Sequence, residues 1–335
     1  MKPLIIPIFV IYRGCPNRCV FCNEKITAGN YPERLTEDTI RNICDRHLKK
    51  GGKQFDQIAF YGGNFTGIDR DYQIELLNIA QSYVDRGMVR SIRISTRPDY
   101  IDDDRVALLM RYSVSTVEIG AQSMVDEVLV GAGRGHSAED VRNSVRLLKK
   151  RGIETGVHLM AGLPGDTRSC FEYTVEEIIR LSPDMVRIHP TIVFKNTPLA
   201  KLYLEGKYQP LTLDDAVELC KHALLRFQKA GIPVIRLGLH TTREMESDNN
   251  IIAGPFHPAF RSLVEGAIFL DMASDLLKAE NPEKKIVVFS VASKDISNLR
   301  GMKNRNIKIL KESFKLTAIH VRENAAQERG SLRII

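Results

Sequence analysis

The sequence predicts an α/β chain whose main body is a full or partial (β/α) barrel, followed by a small C-terminal α/β appendage. Three observations carry this. Short β-rich runs at 4–12, 57–62, 91–96, 115–121, 154–161, 185–192 and 232–239 alternate with amphipathic runs at 36–50, 70–86, 102–112, 137–151, 168–181 and 212–230. Repeated strand–helix units mean parallel strands with helical crossovers, and this many favour a barrel over a small open sheet. The 335 residues are 43% apolar, which suits one large core with a small attachment better than several equal domains. Finally, the net charge of +7 is confined to the tail: residues 281–335 hold 12 Lys/Arg against 5 Asp/Glu, and residues 1–280 hold 36 of each. The expected division is therefore 1–280 and 281–335. No apolar run is long enough for a membrane span.

The first strand leads into Arg13-Gly14-Cys15-Pro16-Asn17-Arg18-Cys19-Val20-Phe21-Cys22-Asn23. The spacing is C-x3-C-x2-C. Three thiolates on one short loop can hold three corners of an iron–sulfur cube and leave the fourth iron open to a non-protein ligand. Structural zinc asks for four N/S ligands, and no Cys or His pair follows at finger spacing. A thioredoxin-type site uses two cysteines rather than three. Six cysteines in 335 residues are too sparse for a disulfide framework. A lipoprotein signal is disfavoured by the short apolar run and by Arg13 in the would-be cleavage region. Cys44, Cys170 and Cys220 have no partner at ligand spacing and read as packing thiols. Thiol usage and an oxygen-sensitive cluster point to a cytoplasmic location.

Later elements are punctuated by Gly152, Pro183 and Gly231, which close helices. The strand ends are the informative positions, because barrel chemistry gathers at the C-terminal face. The second strand ends in Tyr61-Gly62-Gly63-Asn64, the third in Ser95-Thr96-Arg97-Pro98-Asp99, and the fourth reads Glu118-Ile119-Gly120-Ala121-Gln122-Ser123. The fifth runs from His158 to Asp166, and the sixth reads Arg187-Ile188-His189-Pro190-Thr191. Gly62-Gly63 alone reads as a tight turn. Recurrence at successive strand ends turns the reading towards one shared site. His136, His158, His189, His240 and His257 are open to either structural or acid–base roles. Lys195 and Tyr203, after the sixth strand, are weaker candidates to face a substrate.

These residues resemble the radical S-adenosylmethionine (SAM) superfamily. Within it, residues 5–270 are similar to the radical SAM region of the Elongator catalytic subunit and, more distantly, to oxygen-independent coproporphyrinogen oxidase. The resemblance rests on the three cysteines, Gly62-Gly63, Thr96 to Asp99, Glu118 to Ser123, Arg134-Gly135-His136, His158 to Pro164 and Arg187 to Thr191. Two departures stand out. Elongator spaces its first two cysteines more widely, and the residues after 270 are too few for its acetyltransferase domain.

The resemblance implies an enzyme that holds a [4Fe-4S] cluster on Cys15, Cys19 and Cys22. It would cleave SAM reductively to a 5′-deoxyadenosyl radical, with an electron from flavodoxin or ferredoxin. By position, Phe21 would lie near the adenine. Gly62, Gly63 and Asn64 would meet the amino group of SAM, although many family members have an acidic residue where Asn64 stands. Thr96, Arg97 and Gln122 would reach the ribose and carboxylate. Arg97 could equally form an ion pair with Asp99 or Glu118.

The tail reads as strand 285–291, short helix 293–299, loop 301–304, helix 305–314 and strand 316–321. This order resembles a minimal KH module, which clamps single-stranded RNA with a G-x-x-G loop. Here Asn304 replaces the second glycine, and Asn tolerates left-handed backbone. Arg300, Gly301, Lys303 and Arg305 become the candidate RNA contacts. A generic α/β cap on the barrel fits the same pattern. The leading expectation is a radical SAM enzyme that modifies RNA, with a tRNA base as substrate. Two alternatives stay open: a small-metabolite or porphyrin-like substrate with the tail as a lid, and a non-catalytic iron–sulfur protein that binds RNA or a partner.

Overall fold

The computed structural model describes residues 3–335 except 12, 17, 30, 33, 52–54, 240, 247–249 and 281–284, and only the backbone of 50, 51, 243 and 246. The end of the expected first strand at 12, His240 and the expected domain boundary at 281 therefore lie outside the described residues. Strands β1 (Ile5–Phe9), β2 (Phe55–Tyr61), β3 (Val89–Thr96), β4 (Val114–Gln122), β5 (Glu154–Ala161) and β6 (Met185–Pro190) pair in chain order. After the two-residue β7 (Val193–Phe194), β8 (Val234–Leu237) completes a seven-stranded sheet beside β6. Every pairing in it is parallel. β1 and β8 are the two edges and do not pair with each other, so the barrel is partial rather than closed.

The crossovers form where the apolar periodicity placed them, at Glu37–Gly51, Arg70–Asp85, Asp103–Arg111, Ala138–Lys150, Arg168–Leu181 and Leu213–Lys229. Their starts are fixed by side-chain caps from Asp69, Asp102, Ser137, Thr167 and Thr212, each a contribution of ~1 kcal/mol. Ser137 and Asp140 form a reciprocal capping box.

The period-2 alternation of each strand separates two faces. Ile6, Ile8, Ile58, Phe60, Ile92, Ile94, Val117, Ile119, Val157, Leu159, Val186 and Ile188 are all buried in the main core with the helices. The opposite face carries Tyr61, Arg93, Glu118, His158, Arg187 and His189, so the lumen is polar. Its floor is closed by hydrogen bonds from Arg93 Nε to Gln57 Oε1 (2.7 Å), from Gln57 Nε2 to Thr116 Oγ1 (2.8 Å) and from Thr116 Oγ1 to Glu154 Oε2 (2.6 Å).

After β8 the sequence pattern had placed no element before residue 285. β7 pairs antiparallel with β9 (Ile251–Ala253), and the 21-residue helix Phe260–Glu280 follows. This helix serves two cores. Phe260 and Val264 belong to the barrel core, whereas Phe269, Ala273 and Leu277 pack with the tail. The seam thus falls inside the helix, upstream of the division at 280.

In the tail, β10 (Ile286–Val291) pairs parallel with β11 (Ala318–Glu323) and antiparallel with β12 (Leu332–Ile334). Helices Ile296–Arg300 and Arg305–Ser313 lie between β10 and β11. β12 was not expected from the sequence. Among the described residues no helix is long and apolar enough to cross a membrane.

Candidate active site

The loop after β1 is positioned from three sides. Val20 donates its N–H to Ala132 O (3.1 Å), and Leu199 N–H is donated to Val20 O (2.8 Å). Asn64 N–H reaches Arg13 O (2.9 Å). Gly131 to Gly135, which looks superficially like an acyl-CoA loop, is a turn that buttresses the cysteines. Arg134, within it, donates from Nη1 to Cys19 Sγ (3.2 Å) and from Nη2 to Gly120 O (2.6 Å).

Cys15, Cys19 and Cys22 line one cavity of about 950 Å³ that opens into the barrel lumen. Desolvation, then the Glu24 carboxylate and Cys19, push the Cys15 thiol up to about 11, although the residue as a whole is exposed. The same causes raise Cys22 well above its ordinary value. Neutral thiols crowded beside a carboxylate await a cationic partner, which an iron cluster supplies. Among the described residues, no three His, Cys, Asp or Glu side chains gather around a single metal ion. A cubane takes each cysteine on a different iron, which suits thiols spread along a loop.

Phe21, Gly62, Gly63, Thr96, Arg97 and Gln122 line this cavity with the cysteines. Gln122 has φ +69° beside a β-bulge, and its buried Oε1 has no partner. Arg97 makes a two-pronged ion pair with Asp99 (2.9 and 2.8 Å), not with Glu118, and its buried Nη1 is unpartnered. These orphaned atoms, with the three thiols, fit a polar cofactor beside the cluster.

Gly62, Gly63 and Asn64 serve the cysteine loop itself. Gly62 and Gly63 have φ +82° and +53°, and a Cβ on Gly63 would meet Arg13 O at 2.5 Å. Their small size makes room for the cysteine loop's own backbone. Gly63 N–H is donated to Glu24 Oε1 (2.5 Å). Asn64 is fully buried and outside the cavity lining. Its Nδ2 is donated to Gly14 O (2.7 Å), and its Oδ1 accepts from Thr96 Oγ1 (2.5 Å) and Arg97 N (3.2 Å). The side chain placed by sequence near the SAM amino group is thus occupied in clamping the cysteine loop to the end of β3. Asn64→Ala should lower stability by about 3 kcal/mol, because it strands buried backbone groups on both sides. Chemical denaturation measures this, and an unchanged midpoint would remove the clamp.

Sequence reasoning missed the lumen network. Glu118 accepts from Arg93 Nη1 (2.7 Å) and Arg187 Nη2 (2.9 Å), pairs closely with Arg187 Nε, and lies 3.4 Å from Tyr61 OH. His158 Nε2 and His189 Nδ1 share a 3.0 Å hydrogen bond. Burial, then Arg187, lowers His158 to about 4, and burial followed by His158 holds His189 well below its ordinary value. Both are neutral near pH 7. His136 binds Ala121 O (3.2 Å) through Nε2 and is lowered to about 3 by burial and Arg134. Charged residues at alternate positions of strands buried in a parallel sheet were the available signal.

None of the tail candidates lines this cavity. Gly301 has φ +67°, and its Cβ would strike Asn306 at 2.8 Å. Asn306 in turn donates to Gly266 O (2.8 Å), which ties the loop to the long helix. Lys303 and Asn304 adopt left-handed backbone. Arg300 and Lys303 are exposed, and Arg305 lies 3.7 Å from Asp214 of the barrel.

A parallel partial barrel with three cysteines on its first loop, facing a cavity rimmed by later strand ends, defines an iron–sulfur enzyme core. Two family models match it: the radical SAM superfamily over residues 9–178, and the radical SAM C-terminal domain over 183–268. The chain belongs to the radical SAM superfamily. It is a radical SAM enzyme, with a [4Fe-4S] cluster and SAM as the cofactors of that superfamily; Cys15, Cys19 and Cys22, which line one cavity, would hold the cluster. When bound, the two supply the reductive cleavage that yields an adenosyl radical.

The chain is 26% identical over 259 residues to a tRNA uridine(34) acetyltransferase of Methanocaldococcus jannaschii, covering 65% of this chain and 48% of that protein. It is 31% identical over 199 residues to human Elongator complex protein 3, covering 53% and 36%. It therefore spans about half or less of these relatives' length. The solved structure of an archaeal Elp3 from Methanocaldococcus infernus superposes with a TM-score of 0.60 at 21% identity, over 81% of this chain and 63% of that one.

Proposed function

We propose that this radical SAM enzyme modifies RNA, with a tRNA base as substrate and a flavodoxin or ferredoxin as electron donor. The observation that carries the reading is the similarity of the barrel to a tRNA uridine(34) acetyltransferase, over 65% of this chain. The concentration of the net charge of +7 in the tail adds to it. Acetyl transfer is not part of the proposal. Mass spectrometry of RNA nucleosides from cells with and without the protein tests it directly. One modified nucleoside should vanish or lose its modification, and an unchanged profile sinks the reading.

The KH-like reading of the tail has its own test. tRNA affinity should fall steeply with salt, because phosphate contacts release counterions. Lys303→Glu with Arg305→Glu should weaken binding by about tenfold, or ~1.4 kcal/mol. Equal affinity for wild type and variant would leave the tail as a cap. The packing of the Gly301 loop against Gly266 favours a second reading, a small-molecule substrate with the tail as a fixed cap.

A further inference from the structure

We propose that the lumen between β6 and β8 is an anion subsite, in which Arg236 with Arg187 and His189 receives a phosphate or carboxylate of the substrate. Arg187 on β6 and Arg236 on β8 are register partners, and both line the cavity that holds the cysteines. Their circumstances differ. Arg187 is already held through Nε and Nη2 by Glu118 and by Tyr61 OH (3.1 Å), so it adds its charge to the subsite from a fixed position. Arg236 has no hydrogen-bond or ion-pair partner among the described residues, although it is half-buried. Burial and the neighbouring Arg187 charge hold its pKa below the ordinary value. A guanidinium does not shed its proton in a protein, so the folded chain carries this repulsion until an anion arrives.

The surroundings point the same way. Arg93, Arg187 and Arg236 share the lumen with one fully enclosed carboxylate, Glu118, and with Glu154, which approaches Arg93 only at 3.9 Å. The two histidines add no charge near pH 7. His189 lies two residues beyond Arg187 on the same face of β6, and its buried Nε2 has no partner. A purely structural lumen would be filled at lower cost by apolar side chains than by an unpaired arginine. The cysteines, Gly62-Gly63, Thr96 and Gln122 belong to β1 through β4, whereas Arg236 stands on the opposite edge strand.

The inference rests on the reading that a substrate meets bound SAM in this cavity, and it holds whether that substrate is RNA or a metabolite. The test uses the reconstituted protein with its cluster oxidised and with saturating SAM, so that the carboxylate site of SAM is already filled. Binding of inorganic phosphate and of acetate is measured separately by equilibrium dialysis with labelled anions. One of them should bind saturably, one per chain. Arg236→Met should weaken that binding at least tenfold, whereas Arg34→Gln, which removes a surface arginine, should not. Tighter phosphate indicates a nucleotide source, and tighter acetate a carboxylate metabolite.

Because Arg236 has no direct hydrogen-bond or ion-pair partner, and the charges of Tyr61 and Glu118 offset its burial and the Arg187 repulsion only in part, Arg236→Met should also raise the melting temperature of the anion-free protein. Saturable binding that Arg236→Met leaves intact, no saturable binding of either anion, or a variant that melts lower than wild type or fails to fold would each overturn the subsite. An unchanged RNA nucleoside profile alongside intact anion binding would instead remove only the RNA reading.

Discussion

Anaerobic reconstitution of the wild-type protein is expected to load about four irons per chain, and the Cys15→Ala/Cys19→Ala/Cys22→Ala variant none. SAM cleavage under dithionite should disappear with the iron. The expectation rests on the loop as folded: the three thiols line one cavity, and the loop's backbone is fixed by Ala132, Asn64 and Leu199. Loading should become more favourable as pH rises, since iron must displace protons from thiols held neutral by burial and by Glu24. Arg134→Met tests the setting of the cluster separately. It removes the donor 3.2 Å from Cys19 Sγ while keeping all three ligands. Iron content should survive, and the cluster's reduction potential should fall, because a charge-assisted donor to sulfur stabilises the reduced, more negative state. Stable iron in the triple-alanine variant would dismiss the cysteine assignment, and an unchanged potential in Arg134→Met would dismiss the tuning role.

The sequence made the barrel legible for a local reason. Each crossover helix carries its own periodicity and cap, so Ser137 with Asp140 or Thr167 marks a start without knowledge of the partner. The helix Phe260–Glu280 lacks that clarity because it buries different sides in two cores, Phe260 and Val264 in one and Phe269 and Leu277 in the other. A helix that is apolar on more than one side loses the amphipathic signature. β12 was missed because three residues, Leu332–Ile334, are too short to show alternation. The cysteine motif was legible because its spacing lies along one loop, and the three thiols line one cavity. The clamp made by the Asn64 side chain was not legible because its partners, Gly14 O and Arg97 N, come from distant segments. Arg236 escaped notice for the same reason: it matters only beside Arg187, 49 positions earlier.

Removing the charge at Glu118 should destabilise the protein more than any other single lumen substitution. Glu118→Gln leaves two buried arginines facing a neutral amide, and breaking a buried pair in this way costs about 3–5 kcal/mol. Burial alone would raise the Glu118 pKa, but Arg187 and Arg93 outweigh it and hold the carboxyl below its ordinary value. The sign of the pH dependence follows. A carboxylate with a depressed folded pKa contributes stability above its unfolded pKa of about 4.3, and that contribution is lost as pH falls through the lower folded value. His158 acts over a different window. Its folded pKa of about 4 lies below the unfolded value, so the unfolded chain takes up its proton first and stability already declines as pH falls below about 6.5. In Glu118→Gln the decline assigned to the histidines should persist, while the steeper loss below about pH 4.3 should shrink. Denaturant titrations across pH separate the two. Arg187→Met alone should cost less, because Glu118 keeps Arg93 at 2.7 Å. The double variant Glu118→Gln/Arg187→Met should then recover part of the loss, since one of the stranded cations is gone. Strictly additive losses in that cycle would mean that Glu118 and Arg187 do not stabilise each other, whatever their separation.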